Sequence, residues 1–131
     1  MTHEEANILI ADDHELARES MWEMLESEPH LQVVAEAKDG QEVIELCRQQ
    51  RPDLVLMDVG MPKVNGFEAS QMIKAELPTT KVLMMSACFG PFYTSEVERA
   101  GADGYVTDLC TVQALVDAIS GVLLRGESLY P

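Results

Sequence analysis

The 131-residue sequence is short of positive charge: 9 Lys and Arg stand against 23 Asp and Glu, a formal net charge of −14. Such a surface repels polyphosphate backbones, so direct nucleic-acid binding by this chain is not expected. Cysteine is scarce as well. Cys47, Cys88 and Cys110 are odd in number and lack close metal-ligand spacing, which argues against a disulfide framework and suits a reducing cytoplasm. No apolar run approaches membrane-spanning length, and the opening Met1-Thr2-His3-Glu4-Glu5 is acidic where a secretory signal is basic. Neither membrane insertion nor secretion is expected. Internal repeats and low-complexity segments are also missing, which excludes a solenoid.

What is present is an apolar content of 47%, ample for one core in a chain of this length. Five short apolar runs alternate with five helix-like stretches. Asn7–Ala11, Leu54–Met57 and Val82–Met85 are apolar at every step or nearly so, as parallel strands covered on both faces must be. Leu31–Ala37 is interrupted by polar residues and Tyr105–Thr107 is brief, so these two are expected at the sheet edges. Asp39 with Glu42 and Asn65 with Glu68 have the spacing of helix capping boxes. Leu115, Ala118, Ile119, Val122 and Leu123 form the apolar stripe of a final helix, with Gly126 as its stop. Pro29, Pro52 and Pro78 separate helices from the strands that follow. Right-handed crossovers then predict an α/β fold: a doubly wound, five-stranded parallel sheet.

In such sheets ligands bind beyond the carboxyl ends of the strands. Asp12 and Asp13 follow the first run, Asp58 the third, Ser86 the fourth and Asp108 the fifth. Taken singly, each aspartate is an ordinary helix cap or a solvated charge, and Asp13 is well placed to cap the helix after it. Taken together, three acids converging from two adjacent strands need a neutralising cation, and an all-oxygen set selects a hard ion such as Mg²⁺.

These residues resemble the receiver domains of bacterial two-component response regulators. The carriers are Asp12-Asp13, the run Asp53-Leu54-Val55-Leu56-Met57-Asp58-Val59-Gly60-Met61-Pro62 with Gly66, Ser86-Ala87, and Gly101-Ala102-Asp103-Gly104-Tyr105. The resemblance covers about residues 7–124 and implies a flavodoxin-like (βα)5 fold with strand order 2-1-3-4-5. It implies that Asp58 accepts a phosphoryl group from a histidine kinase or phosphotransfer protein. Asp12, Asp13, Asp58 and the Gly60 carbonyl would hold Mg²⁺, Ser86 would hydrogen-bond the phosphoryl group, and Tyr105 would be the switch aromatic. An ordinary edge-strand tyrosine with its hydroxyl in water is the other reading of Tyr105. The expected role is that of a switch that phosphorylates itself from a donor, not a turnover enzyme; a Mg²⁺-dependent phosphohydrolase is a weaker rival, lacking a visible substrate pocket or general acid.

Two departures stand out. Three residues after the switch aromatic the family carries a lysine, but here the position holds Asp108. An anion in place of a cation removes a charge-assisted hydrogen bond and opposes a dianionic phosphoryl group. Phosphorylation should weaken, and a pseudo-receiver serving as a docking or dimerisation module becomes the alternative; Lys63, in the loop after Asp58, is the candidate substitute cation. The second departure is Cys88-Phe89-Gly90-Pro91-Phe92-Tyr93, which predicts a short fourth helix starting late, at a Ser95–Glu98 capping box. Its three aromatics are either a partner surface or a cover for the sheet. Met21, Met24, Met57, Met84 and Met85 are expected to fill the core, and His14 at most to tune the acidic pocket. Residues 126–131 resemble the start of a linker to a helix-turn-helix output domain, through which the full protein would control transcription. Homodimerisation through the last two helices is a further expectation from the resemblance.

Overall fold

The computed structural model describes residues 5–61, 63–86, 91–107 and 111–125, with the side chains of 91–94 and 125 excepted. Asp108, Cys88, Cys110, the aromatic cluster at 89–93 and the segment 126–131 therefore lie outside the described residues or side chains.

Five parallel strands alternate with five helices: β1 Ala6–Ala11, α1 Glu15–Glu26, β2 Leu31–Ala37, α2 Gly40–Gln50, β3 Leu54–Asp58, α3 Gly66–Glu76, β4 Lys81–Ser86, α4 Pro91–Arg99, β5 Gly104–Thr107 and α5 Val112–Arg125. The sheet order is β2-β1-β3-β4-β5, with the polar and the brief strand at the edges as expected. Side-chain alternation divides the core. Leu9, Val55, Met57, Val82, Met84 and Tyr105 face α2, α3 and α4. Ile8, Ile10, Leu54, Leu56 and Leu83 face Met21 and Leu25 of α1 and Leu115, Ile119 and Val122 of α5. Strands apolar at every step are thus covered on both faces, and their burial is the dominant favourable term in folding. Among the described residues no helix is long and apolar enough to cross a membrane.

The caps are largely as the sequence predicts. Asp39 and Asn65 accept the backbone N–H groups of Glu42 and Glu68 at 2.8 and 2.9 Å. Glu42 reaches back one residue further than a capping box requires, to the Lys38 N–H. Two expectations are corrected. Asp13 does not cap α1: the N-cap is His14, and its side chain makes no capping bond. Helix α4 is short but starts at Pro91 rather than Ser95, because a proline at the first helical position lacks only an N–H that has no intrahelical partner. The Ser95–Glu98 pair consequently lies inside the helix.

Candidate functional site

Strand register brings the acids together. Ala11 of β1 pairs with Met57 of β3, so the next residues, Asp12 and Asp58, lie side by side at the carboxyl edge of the sheet. Asp58 pairs with Met85 of β4, which puts Ser86 one step further along the same edge. One ligand atom from each of Asp12, Asp13, His14 and Asp58 lies within 4.8 Å of all the others.

Each member is held by the fold. Asp12 is buried, and its Oδ1 accepts the His14 N–H at 2.8 Å. Its main chain is fixed from both sides: the Asp12 N–H donates to the Ala37 carbonyl at 3.0 Å, and Arg18 Nη1 donates to the Asp12 carbonyl at 2.8 Å. The Arg18 guanidinium is itself anchored by Glu36. Asp58 Oδ1 has the Gly60 N–H at 3.4 Å, a long contact. Behind it, α3 begins at Gly66, whose missing side chain allows its backbone to press on the Asp58 carbonyl. His14 Nδ1 lies 3.1 Å from Asp12 Oδ1 and 3.1 Å from Asp13 Oδ1.

The electrostatics follow from this crowding. Burial, then the charges of Asp12 and Asp13, push the Asp58 carboxyl up to about 6, against the Gly60 N–H and His14. The hydrogen bond to Asp12 and the charge of Asp13 raise the His14 imidazole above its ordinary value. Lys63 offers no neutralisation, since its Nζ pairs with Asp39 Oδ2 at 3.4 Å. The donor set fits a divalent cation: three carboxylates repel one another less when a positive charge sits among them.

Of the residues singled out by sequence, Asp12, Asp13 and Asp58 converge. Ser86 is buried at the same sheet edge, and Gly60 follows Asp58 in the exposed loop. Tyr105 is only 5% exposed and packs with the α2–α4 face of the core, not as an edge tyrosine standing in water. Asp53 and Asp103, quoted in the same motifs, serve the opposite edge: they accept the N–H groups of Asn7 and Val82 at 2.7 and 2.8 Å. Lys74 joins Asp103 at 3.0 Å.

Two features of the site are not legible in the sequence. His14 is a full member of the cluster, and only its adjacency to the acidic pair signalled this. A cavity of about 340 Å³ also runs from Asp12, His14 and Asp58 between α1 and α5, bounded by Met21, Met24, Val112 and Leu115. Helical spacing marked Met21, Met24 and Leu115 as core, without showing that α1 and α5 part at this end.

Known proteins share this fold. The family model described as the response regulator receiver domain matches residues 8–120. The transcriptional regulatory protein DegU of Brevibacillus brevis is 39% identical over 124 residues, covering 95% of this chain and 52% of the relative. The response regulator GacA of Pseudomonas aeruginosa is 36% identical over 124 residues, covering 95% of this chain and 58% of the relative. The chain thus spans about half the length of the curated relatives it matches. A two-component response regulator of the LuxR family from Aurantimonas sp. SI85-9A1 superposes with a TM-score of 0.90 at 34% identity, over 97% of this chain and 91% of that one. With a doubly wound sheet in this order, acids gathered at its carboxyl edge and a family match from β1 into α5, the chain belongs to the receiver domains of response regulators.

Proposed function

We propose that this receiver is a phosphorylation-controlled switch in which Asp58 accepts a phosphoryl group from the phosphohistidine of a histidine kinase or phosphotransfer protein. The observation that carries this reading is the position of Asp58: half-buried, beside Asp12 across a parallel register, and within one 4.8 Å cluster of ligand atoms. With its carboxyl at about 6, Asp58 is mostly ionised at neutral pH and able to act as a nucleophile. An Asp58 oxygen bonds to phosphorus as the phosphorus–nitrogen bond to the donor histidine breaks, and the electron pair stays on the imidazole.

Asp12, Asp13, Asp58 and the Gly60 carbonyl would hold Mg²⁺, which when bound offsets the charge of the carboxylates and of the phosphoryl oxygens. Ser86, buried at the end of β4, would donate its hydroxyl to the phosphoryl group. Tyr105 would be the bistable element: its ring is packed inside, and a shift at the Ser86 edge of β4 changes the space beside it. The chain would take up one phosphoryl group per Asp58 and act as a switch, not as a turnover enzyme. Since relatives named as transcriptional regulators are about twice as long as the matched region, the switch would control transcription through a DNA-binding part of a longer protein in the cytoplasm.

Residue-level mapping tests the assignment. Borohydride reduction of the phosphodonor-treated protein should convert residue 58, and no other aspartate, to homoserine; conversion elsewhere would overturn it.

A further inference from the structure

Asp12 and Asp13 are joined by one planar peptide unit, and the orientation of that plane governs how the two carboxylates leave the chain. Its carbonyl oxygen, that of Asp12, accepts a hydrogen bond from Arg18 Nη1 at 2.8 Å. A long side chain on a helix points back toward the N-terminus, which is how Arg18, in the first turn of α1, reaches a residue six positions earlier. The same guanidinium donates through Nε to Glu36 Oε1 on β2 at 3.2 Å, and the Arg18 side chain is only 16% exposed. Strand β2 is itself in register here: Ala11 pairs with Ala37, and the Asp12 N–H donates to the Ala37 carbonyl. Both backbone polar groups of Asp12 are thus tied to β2, the N–H directly and the carbonyl through Arg18 and Glu36.

From this chain of contacts we infer that Arg18 is a positioning residue of the phosphoryl-transfer site. It fixes the Asp12–Asp13 peptide so that both carboxylates meet Asp58 around one cation, and Glu36 acts through Arg18 by holding the guanidinium in place. The inference rests on the receiver reading above, which puts the ion among these acids. A guanidinium suits the task because its planar fork meets two acceptors at once, whereas a lysine ammonium is a point charge on a flexible stem. His14 supplies a probe of the result, since its N–H donates to Asp12 Oδ1 at 2.8 Å and so reports where that carboxylate sits.

The test is calorimetric titration of the 131-residue chain with Mg²⁺, well below its melting temperature, in wild type, Arg18→Met, Arg18→Lys, Glu36→Ala and the double variant Arg18→Met with Glu36→Ala. Arg18→Met should lose about tenfold or more in Mg²⁺ affinity, and Arg18→Lys should recover part of the loss. Glu36→Ala should lose less, and the double variant no more than Arg18→Met alone, as two residues acting in series require. A second readout needs no ion. In chelator, amide hydrogen exchange at His14 should quicken about fivefold or more relative to Ile10, inside the sheet, in Arg18→Met. The NMR spectra that record it also show which variants are folded; if Arg18→Met is not, Glu36→Ala carries the same comparison. Unchanged Mg²⁺ affinity and His14 exchange in folded variants, or losses from Arg18→Met and Glu36→Ala that simply add, would overturn the inference. Labelling of Asp58 in the wild type would then show that the receiver reading survives. A wild type that neither binds Mg²⁺ nor labels at Asp58 would overturn both.

Discussion

The α carbon of Gly66 faces the carbonyl oxygen of Asp58 so closely that a Cβ at position 66 would lie 2.6 Å from it. The same Cβ would lie 2.9 Å from the Val59 Cα, so backbone would have to move. Gly66→Ala should therefore destabilise the fold by about 1–3 kcal/mol and slow labelling of Asp58. Gly60→Ala is the control, because a Cβ there meets nothing within 4 Å; it should change stability by less than about 0.5 kcal/mol. Urea unfolding of both variants, with labelling rates beside it, checks the contrast.

Asp58 weakens the metal-free fold in order to serve the site. Its folded carboxyl is raised to about 6, above the unfolded value of about 3.9, so the native state binds the proton more strongly. The cost of the charge is absent below about pH 4, grows toward pH 6 and is complete above it. In chelator, Asp58→Asn should be more stable than wild type at pH 7 by about 1–2 kcal/mol, a value reduced for the solvent that reaches this half-buried group. At pH 3.5 the two should coincide, and added Mg²⁺ should stabilise the wild type more. Thermal melts across pH decide it.

Asp39 has the opposite sign. The Glu42 N–H, then Lys63, hold its carboxyl below the ordinary range, so its contribution is present above about pH 4 and is lost as pH falls through the depressed folded value. Asp39→Ala should cost about 1 kcal/mol at pH 7, the usual value of an N-cap. Asp39→Asn keeps the acceptor oxygen and should recover most of it. The gap between wild type and Asp39→Ala should close in strong acid, as followed by circular dichroism melts.

Most of the fold was legible because parallel central strands need apolar residues on both faces, and Asn7–Ala11, Leu54–Met57 and Val82–Met85 say so directly. The acids were legible for a related reason: Asp12 and Asp58 each follow such a run, and register does the rest. What one-dimensional spacing did not carry was direction. Nothing in the order Asp12-Asp13-His14 tells that the histidine ring turns back on the carboxylates, or that Arg18, one turn along α1, clamps the Asp12 carbonyl. In one dimension Pro91 is a helix breaker, but its effect depends on whether it enters at the first turn, as it does here, or later. Likewise the burial of Tyr105 depends on α4 covering an edge strand, which a four-residue strand cannot reveal.

Asp108 stands where the family's lysine is expected, and among nearby cations Lys63 is engaged with Asp39. Restoring the charge should help the transfer. Asp108→Lys should label with acetyl phosphate several-fold faster than wild type, since a hydrogen bond to a charged group contributes about 1.5–3 kcal/mol. Equal rates in a stopped time course would show that position 108 does not act on the phosphoryl group.

Whether Asp58 takes up phosphoryl is read straight from the intact protein's mass after incubation with acetyl phosphate and Mg²⁺. The wild type should gain one phosphoryl group and Asp58→Asn none. An unmodified wild type, with Mg²⁺ bound and rapid dephosphorylation excluded by a quenched time course, would contradict it.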